Sequence, residues 1–222
     1  MQSNKRIKTS SYSGGLWSKS PLTRTSIINS IIRRYGYRSY LEIGCGDNRN
    51  FSLVEACEKI GVDPKQGGTH RMSSDEFFQS NSQWFDLVFV DGLHLEEQVL
   101  RDVENSLQFL TDGGCVLIHD CLPVKEVHQD RVRSTSAWMG DVWKAVVKLR
   151  SQPEIDVAVL NRCNGMGVLL KETNSDQLDK IPELNWNTFT TQKQKLLRIL
   201  EPNEFENFLS KDGSGPQSLD RF

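Results

Sequence analysis

The sequence lacks several features that would place it outside the ordinary globular proteins. In its 222 residues no apolar run approaches the ~18–20 residues that a membrane-spanning helix needs. Its net charge of −2 gives no reason to expect nucleic acid or a membrane surface as a partner. The first 20 residues lack the apolar stretch of a secretory signal, so we expect a cytoplasmic protein.

Paired cysteines are also missing. The five cysteines are scattered, and none forms a Cys-x-x-Cys pair. This favours reduced thiols over a disulfide framework or a zinc site, in agreement with a cytoplasmic location.

The chain shows neither an internal repeat nor a long linker, so we predict one domain over residues 1–222. Residues 1–20 form a polar tail in which Trp17 could dock on the domain, residues 21–173 the catalytic core, and residues 174–222 a helical extension and tail. The last dozen residues have a disordered composition. The weak apolar pattern of the C-terminal helix could pack on a second subunit, which would make a homo-oligomer.

What the sequence does contain is an alternation of strand and helix patterns. Strands are predicted at 39–43, 59–63, 69–73, 85–91, 115–120, 154–160 and 165–171. Helices are predicted at 21–36, 50–57, 75–79, 94–110, 141–149 and 193–209, with Asp112-Gly113-Gly114 ending the fourth, Asp141 capping the fifth and Pro202 breaking the last. The alternation predicts an α/β fold, namely a Rossmann-like, doubly wound, seven-stranded and mostly parallel sheet with a C-terminal antiparallel hairpin and helices on both faces.

A glycine turn after the first strand predicts a nucleotide-type ligand. Gly44 and Gly46 follow the strand, and Asp63 comes about 20 residues later, where an acid can accept both ribose hydroxyls. Arg49 stands where a dinucleotide site requires a third glycine, and Glu42 would be unfavourable beside a pyrophosphate. The pattern therefore favours a cationic ligand, such as a sulfonium with an amino-acid tail. Asp63 could instead cap its strand, and Glu42 could anchor a loop.

Acids and histidines follow the later strands. Asp91 ends the strand at 85–91 with His94 three residues on, and His119-Asp120 ends the strand at 115–120. Buried carboxylates are costly unless they are paired, hydrogen-bonded or bound to a cation. Because ligands bind beyond the carboxyl ends of parallel strands, these residues are candidates for the chemical step.

At these residues the sequence resembles a known family. Residues 41–46, Leu-Glu-Ile-Gly-Cys-Gly, resemble the first motif of class I S-adenosylmethionine-dependent methyltransferases. Residues 85–94, together with Gly113-Gly114 and His119-Asp120, resemble a narrower group, the small-molecule O-methyltransferases of the macrocin and cephalosporin-pathway type. Some members of that group use magnesium.

The resemblance implies a role for each candidate residue. It implies S-adenosyl-L-methionine as cofactor, with Gly44 and Gly46 at its methionine part and Asp63 at its ribose. It also implies Asp91 and Asp120 as ligands of Mg²⁺ or another divalent cation, and His94 as the general base that acts beside Asp91. The cofactor-binding set is Glu42, Gly44, Cys45, Gly46, Asp63, Ser73, Ser74 and Asp91, with Met72-Ser73-Ser74 flanking the adenine.

Some roles have alternatives. His119 could be the third metal ligand, a second base or a hydrogen-bonded neighbour. Asp91 could act without metal, and His94 could merely begin a helix. Trp138 and Trp143 could line the acceptor pocket or only pack.

The sequence thus predicts a metal-assisted O-methyltransferase acting on a hydroxyl of a sugar or another polyhydroxylated small molecule. An NAD(P)-linked oxidoreductase or epimerase would need a Tyr-x-x-x-Lys-type constellation, which is absent. A non-catalytic nucleoside-binding relative would be expected to lose Asp91, His94 or Asp120, and all three are present.

Overall fold

The computed structural model describes residues 22–210. The predicted tail at 1–20 with its Trp17, and the last dozen residues, lie outside the described residues. Within 22–210, no helix combines the length and the apolar character needed to cross a membrane. All five cysteines fall in the described part and are free.

Between residues 22 and 210, seven strands form one sheet. They are β1 (Ser39–Ile43), β2 (Glu58–Val62), β3 (Phe85–Val90), β4 (Leu110–Ile118), β5 (Asp156–Leu160), β6 (Met166–Leu170) and β7 (Ile199–Leu200). Their order across the sheet is β2-β1-β3-β4-β6-β5-β7. Every pairing is parallel except those of β6, which runs antiparallel to β4 and β5. The predicted mostly parallel sheet with an antiparallel hairpin is confirmed.

Helices cover both faces of this sheet, as predicted. They are α1 (Arg24–Tyr35), α2 (Ser74–Ser80), α3 (Glu96–Gln108), α4 (Val142–Leu149), α5 (Trp186–Leu197) and α6 (Pro202–Leu209). Apolar side chains of α1 and α6 pack in one core, and those of α2 to α5 pack in a second. Helix α1 starts at a capping box formed by Thr23 and Ser26 and ends at Gly36, whose φ of 66° suits glycine.

The predicted helix at 50–57 is wrong. Only a single 3₁₀ turn forms, at Phe51–Leu53, and Leu53 is exposed rather than buried. The side chain of Asn29 on α1 donates to the Leu53 carbonyl and accepts from the Glu55 amide. Lys59 donates to the Phe51 and Val54 carbonyls. These side chains satisfy backbone groups that a helix would otherwise satisfy, so no α-helix forms and the chain becomes extended at Val54.

The strand predicted at 69–73 does not form, and the sheet has its additional strand elsewhere. Residues 69–73 contribute only a single bridge between Val62 and His70, because Ser73 already caps α2. The seventh strand is β7, inside the region predicted as one helix at 193–209. Arg198 turns the chain with a φ of 46°, β7 pairs with β5, and Pro202 begins α6 instead of breaking a helix.

The helix predicted at 94–110 is shorter at both ends. Its last predicted residue, Leu110, already pairs with Phe85 as part of β4. Asp112-Gly113-Gly114 therefore lies inside β4, at an irregularity in its pairing, and does not terminate the helix. A Cβ on Gly114 would lie 2.8 Å from the Asp86 carbonyl oxygen, so the close approach of β3 explains this glycine.

Asp141 caps a helix other than the predicted one. It precedes α4 but makes no side-chain cap to it. Its Oδ1 accepts from the Glu96 amide at 2.8 Å, so it caps α3, and its Oδ2 pairs with Arg131 at 2.7 Å. Trp143 is fully buried and lies 4.9 Å from the Phe189 ring, so this tryptophan packs in the core.

Candidate active site

The glycine turn follows β1 and packs against the end of β3. Gly44 has a φ of 89°, and a Cβ there would lie 2.2 Å from the Asp91 carbonyl oxygen. Gly46 has a φ of 53°, and a Cβ there would meet nothing within 4 Å among the described residues. Gly44 is therefore required by the packing of two strands, whereas Gly46 borders open space in which a ligand can approach the backbone.

Asp63 supports this turn. Its Oδ2 accepts from the Gly46 amide at 2.9 Å, and its Oδ1 accepts from the amides of Lys65 and Gln66 at 2.8 and 2.9 Å. The strand-end cap considered from the sequence thus describes part of its role. A carboxylate has about four acceptor positions, so capacity for a ribose hydroxyl remains.

Glu42 is a buried anchor behind the turn. Its Oε2 accepts from the Tyr40 hydroxyl at 2.6 Å and from the Asn50 amide at 2.9 Å. Burial raises the pKa of Glu42 to about 7, against the effect of these two hydrogen bonds. Cys45 is also buried, and its thiol donates to the Glu42 carbonyl. Both side chains are engaged within the protein, and the partners of Glu42 are two side chains and not the loop backbone that the anchoring alternative named.

The two serines assigned to the adenine also have structural partners. Ser73 forms a capping box with Glu76 at the start of α2. Ser74 donates to Asp102 Oδ1 at 2.6 Å. Burial raises the pKa of Asp102 to about 6, so this hydrogen bond partly offsets a desolvation cost.

Two carboxylates and two imidazoles meet beyond β3 and β4, as predicted. Asp91 Oδ1 lies 3.3 Å from His94 Nε2 and 3.2 Å from His119 Nδ1. Asp120 Oδ1 lies 3.2 Å from His119 Nδ1, and its Oδ2 lies 3.7 Å from His94 Nδ1. One donor atom each from Asp91, His94 and Asp120 falls within 4.8 Å of the others, a spacing that could hold a metal ion.

His119 lies between the two carboxylates, with its Nδ1 3.2 Å from each. Burial lowers the pKa of His119, but the contacts with Asp120 and Asp91 outweigh burial and raise it to about 9. An imidazolium donates protons to carboxylates and has no lone pair for a metal. The donor-atom spacing groups His94 with Asp91 and Asp120, where the sequence suggested His119 as the third ligand.

Asp91 has a cationic partner that the sequence analysis missed. Arg24, the first residue of α1, places its Nη1 2.5 Å from Asp91 Oδ2. Burial raises the pKa of Asp91, but the hydrogen bonds and charges of His119 and His94 outweigh burial and hold the pKa well below its usual range. A basic residue in the first turn of a helix opposes the helix dipole, and this was the signal that could have identified Arg24.

Asp120 is held by a residue of the β5–β6 turn. Asp120 has a φ of 59°, and its Oδ1 accepts from Asn164 Nδ2 at 3.0 Å. Cys163, Asn164 and Gly165 are consecutive residues with positive φ, of 52°, 60° and 86°. The sequence predicted this turn but gave no sign that it reached the site.

His94 precedes α3 and does not begin it, since Leu95 stands between His94 and the first helical residue. The His94 ring stacks on Trp138, with ring centroids 5.0 Å apart and an interplanar angle of 23°. A Cβ on Gly140 would lie only 1.8 Å from the His94 carbonyl oxygen, so the 121–140 loop is pressed against this residue. Trp138 therefore lies at the site, while Trp143 does not.

The central part of the chain matches a known protein family. Residues 41–121 match the family model described as a methyltransferase domain. Among curated proteins, no sequence is significantly similar to the chain.

Solved structures of methyltransferases have a similar fold. An O-methyltransferase from Bacillus cereus in complex with SAH is 11% identical, with a TM-score of 0.51 over 70% of this chain and 83% of that one. A candidate caffeoyl-CoA O-methyltransferase from Staphylococcus aureus is 18% identical, with a TM-score of 0.52 over 68% and 85%. TomG from Streptomyces achromogenes, an O-methyltransferase of tomaymycin synthesis in complex with SAM, is 11% identical, with a TM-score of 0.50 over 67% and 79%.

At these identities the solved structures establish the fold alone. Together with the family match, they confirm the resemblance to class I S-adenosylmethionine-dependent methyltransferases. The narrower resemblance to the macrocin and cephalosporin-pathway group is not confirmed.

Proposed function

We propose that this S-adenosylmethionine-dependent methyltransferase transfers its methyl group to a hydroxyl oxygen, with the help of Mg²⁺ or another divalent cation. The acceptor is a sugar or another polyhydroxylated small molecule. One observation carries the proposal: donor atoms of Asp91, His94 and Asp120 lie within 4.8 Å of one another, beyond the strand next to the glycine turn. Methyl donor and acceptor would thus meet at one edge of the sheet.

The donor set fits a divalent cation. Two carboxylates suit Mg²⁺, and an imidazole adds affinity for Mn²⁺ or Zn²⁺. His94 Nδ1 is buried and has no hydrogen-bond partner within residues 22–210, as expected for an atom that a bound cation or acceptor would engage. A cation held here would lower the pKa of an acceptor hydroxyl that it contacts.

The residues of the chain divide the remaining work. Asp91 and Asp120 would hold the cation, and His94 would take the proton from the acceptor hydroxyl. Stacking on Trp138 and the contact of its backbone with Gly140 fix the position of His94. The two nitrogens of His94 face different carboxylates, so the ring can alternatively complete the donor set.

For the cofactor, the open side of Gly46 and the remaining acceptor capacity of Asp63 support the predicted contacts with the methionine part and the ribose. Glu42 and Cys45 would act by holding the turn in shape. Ser73 and Ser74 would contribute backbone and shape near the adenine, since their side chains have partners in the protein.

Calorimetry with S-adenosylhomocysteine tests the donor, and EDTA-sensitive methyl transfer to a panel of polyhydroxylated acceptors tests the cation. Asp91→Ala and Asp120→Ala should both abolish transfer and the binding of Mn²⁺, followed by electron paramagnetic resonance, while Asp120→Ala should still bind the cofactor. Asp112→Ala is the matched control, because this exposed acid lies in β4 away from its carboxyl end. Near-normal turnover in both site variants would rule out the metal-assisted reaction.

His94→Ala should lower turnover by about 10²-fold or more, the usual loss for a missing general base. An unchanged rate would remove His94 from the mechanism. The cytoplasmic location and a homo-oligomer remain predictions of the sequence, and gel filtration with light scattering tests the second.

A further inference from the structure

Arg24 stands at an unusual place for a basic residue. It is the first residue of α1, where the helix dipole favours acids, and the first turn of this helix contains no acid. Its side chain is 39% exposed, and its one side-chain hydrogen bond within the described residues goes to Asp91. Neither capping nor burial in the core accounts for an arginine here.

The contacts of α1 place this guanidinium beside the glycine turn. The backbone of Asp91 packs against Gly44, and Asp91 Oδ2 forms an ion pair with Arg24 Nη1 at 2.5 Å. The next residue, Thr25, donates to Asn50 Oδ1 at 2.7 Å, and Asn50 in turn donates to Glu42. The start of α1 is therefore fixed to the same turn from two sides.

The charges around the turn are unbalanced for a zwitterionic ligand. The methionine tail of the cofactor carries an ammonium and a carboxylate. Asp91 suits the ammonium, but it repels the carboxylate. Apart from Arg24, no arginine or lysine in the described part of the chain forms an ion pair with the acids at the ends of β1 to β4, which are Glu42, Asp63, Asp91 and Asp120.

We propose that Arg24 binds the α-carboxylate of S-adenosylmethionine and that its ion pair with Asp91 aims the guanidinium at that group. A guanidinium has five donors in a planar fork, so it can bind Asp91 and a carboxylate together. The assignment rests on the proposed function, specifically on S-adenosylmethionine as the donor. It makes the start of α1 part of the cofactor site.

Two ligands that differ only in the carboxylate test this assignment. Calorimetry is carried out with S-adenosylmethionine and with its decarboxylated analogue, on the wild type, Arg24→Gln and Arg24→Lys. Arg24→Gln should weaken binding of S-adenosylmethionine about tenfold or more, the loss expected for a charge-assisted hydrogen bond, and should leave the analogue unchanged or bound more tightly. Arg24→Lys should lie between. Arg33→Gln is the control, since this arginine of the same helix pairs with the exposed Glu55.

Each other outcome overturns the assignment. Equal weakening of both ligands by Arg24→Gln would mean that Arg24 only maintains the shape of the site. Unchanged affinity for S-adenosylmethionine would mean that the carboxylate is bound elsewhere. If the wild type binds neither S-adenosylmethionine nor S-adenosylhomocysteine, the proposed methyl donor is wrong. This failure is distinguishable from a wrong assignment of Arg24 because it does not depend on residue 24.

Discussion

Replacing His119 by asparagine should remove a large part of the pH dependence of stability between pH 7 and 9. Asparagine places an amide nitrogen near the position of His119 Nδ1, 3.2 Å from Asp91 and Asp120, but it does not titrate. In the folded protein the pKa of His119 is raised to about 9. The unfolded value is about 6.5.

The sign and size follow from these two values. A raised folded pKa means that the native state binds the proton more tightly, so the stabilisation is complete below about pH 6.5 and is lost as the pH rises through about 9. Between pH 7 and 9 the free energy of unfolding should fall by about 2 kcal/mol because of His119 alone. The asparagine variant should lack this decline.

The other titrating groups can be distinguished from His119, because they titrate in another pH range or are the same in the wild type and the variant. Burial raises the pKa of Glu42 to about 7 and that of Asp102 to about 6. The stability linked to these two carboxyls therefore falls as the pH rises toward 7, and it changes little between pH 7 and 9. The buried thiols of Cys45, Cys115 and Cys121 also have raised pKa values, but they are present in both proteins. The difference between wild type and variant therefore isolates His119.

The assay is urea unfolding followed by tryptophan fluorescence, in buffers from pH 6 to 10 that contain EDTA, since a bound cation would compete with the proton. Parallel stability curves for the two proteins between pH 7 and 9 would refute the assignment of a protonated His119. A loss of stability in the variant that is the same at every pH would assign His119 a packing role only.

Two further changes test the geometry around the site. Gly44→Ala should destabilise the fold by more than about 2 kcal/mol, because its Cβ would lie 2.2 Å from the Asp91 carbonyl oxygen. Gly46→Ala should cost only the strain of a positive φ, about 1–2 kcal/mol. Thermal unfolding compares the two variants, and equal losses of stability would contradict the reasoning. Asp141→Ala should cost about 1–2 kcal/mol of stability, because the cap of the Glu96 amide is lost. Asp141→Asn should retain most of that stability. Urea titrations that rank the two variants in the reverse order would count against the cap.

The fold was predictable wherever one segment determined its own structure. The apolar strands and the two glycines of the turn needed no distant partner to be recognised. The errors came where a partner far along the chain decided the outcome. Asn29 binds the backbone of Leu53 and Glu55 and so prevents an α-helix there, and β5 provides the edge on which the two-residue β7 forms. Neither interaction has a local signature in the sequence.

The candidate site could likewise be predicted only where single segments determined it. The grouping of Asp91, His94 and Asp120 could be predicted because the carboxyl ends of parallel strands necessarily meet at one edge of the sheet. Their partners were not found, because Arg24 is separated from Asp91 by 67 residues and Asn164 from Asp120 by 44. The pattern of one strand predicts where an acid lies, but it says nothing of which other element will neutralise it.

The antiparallel course of β6 has a consequence for how such a site can diversify. Because β6 returns between β4 and β5, the connecting residues 161–165 lie at the same edge of the sheet as the ends of the parallel strands. Asn164 can therefore reach Asp120 from a turn that touches a core through Cys163, while Asn164 itself belongs to neither core. This turn is an exchangeable element: a different side chain at this one position would alter the polarity around the acidic centre and leave the pairing of the sheet intact, in natural divergence as in protein engineering.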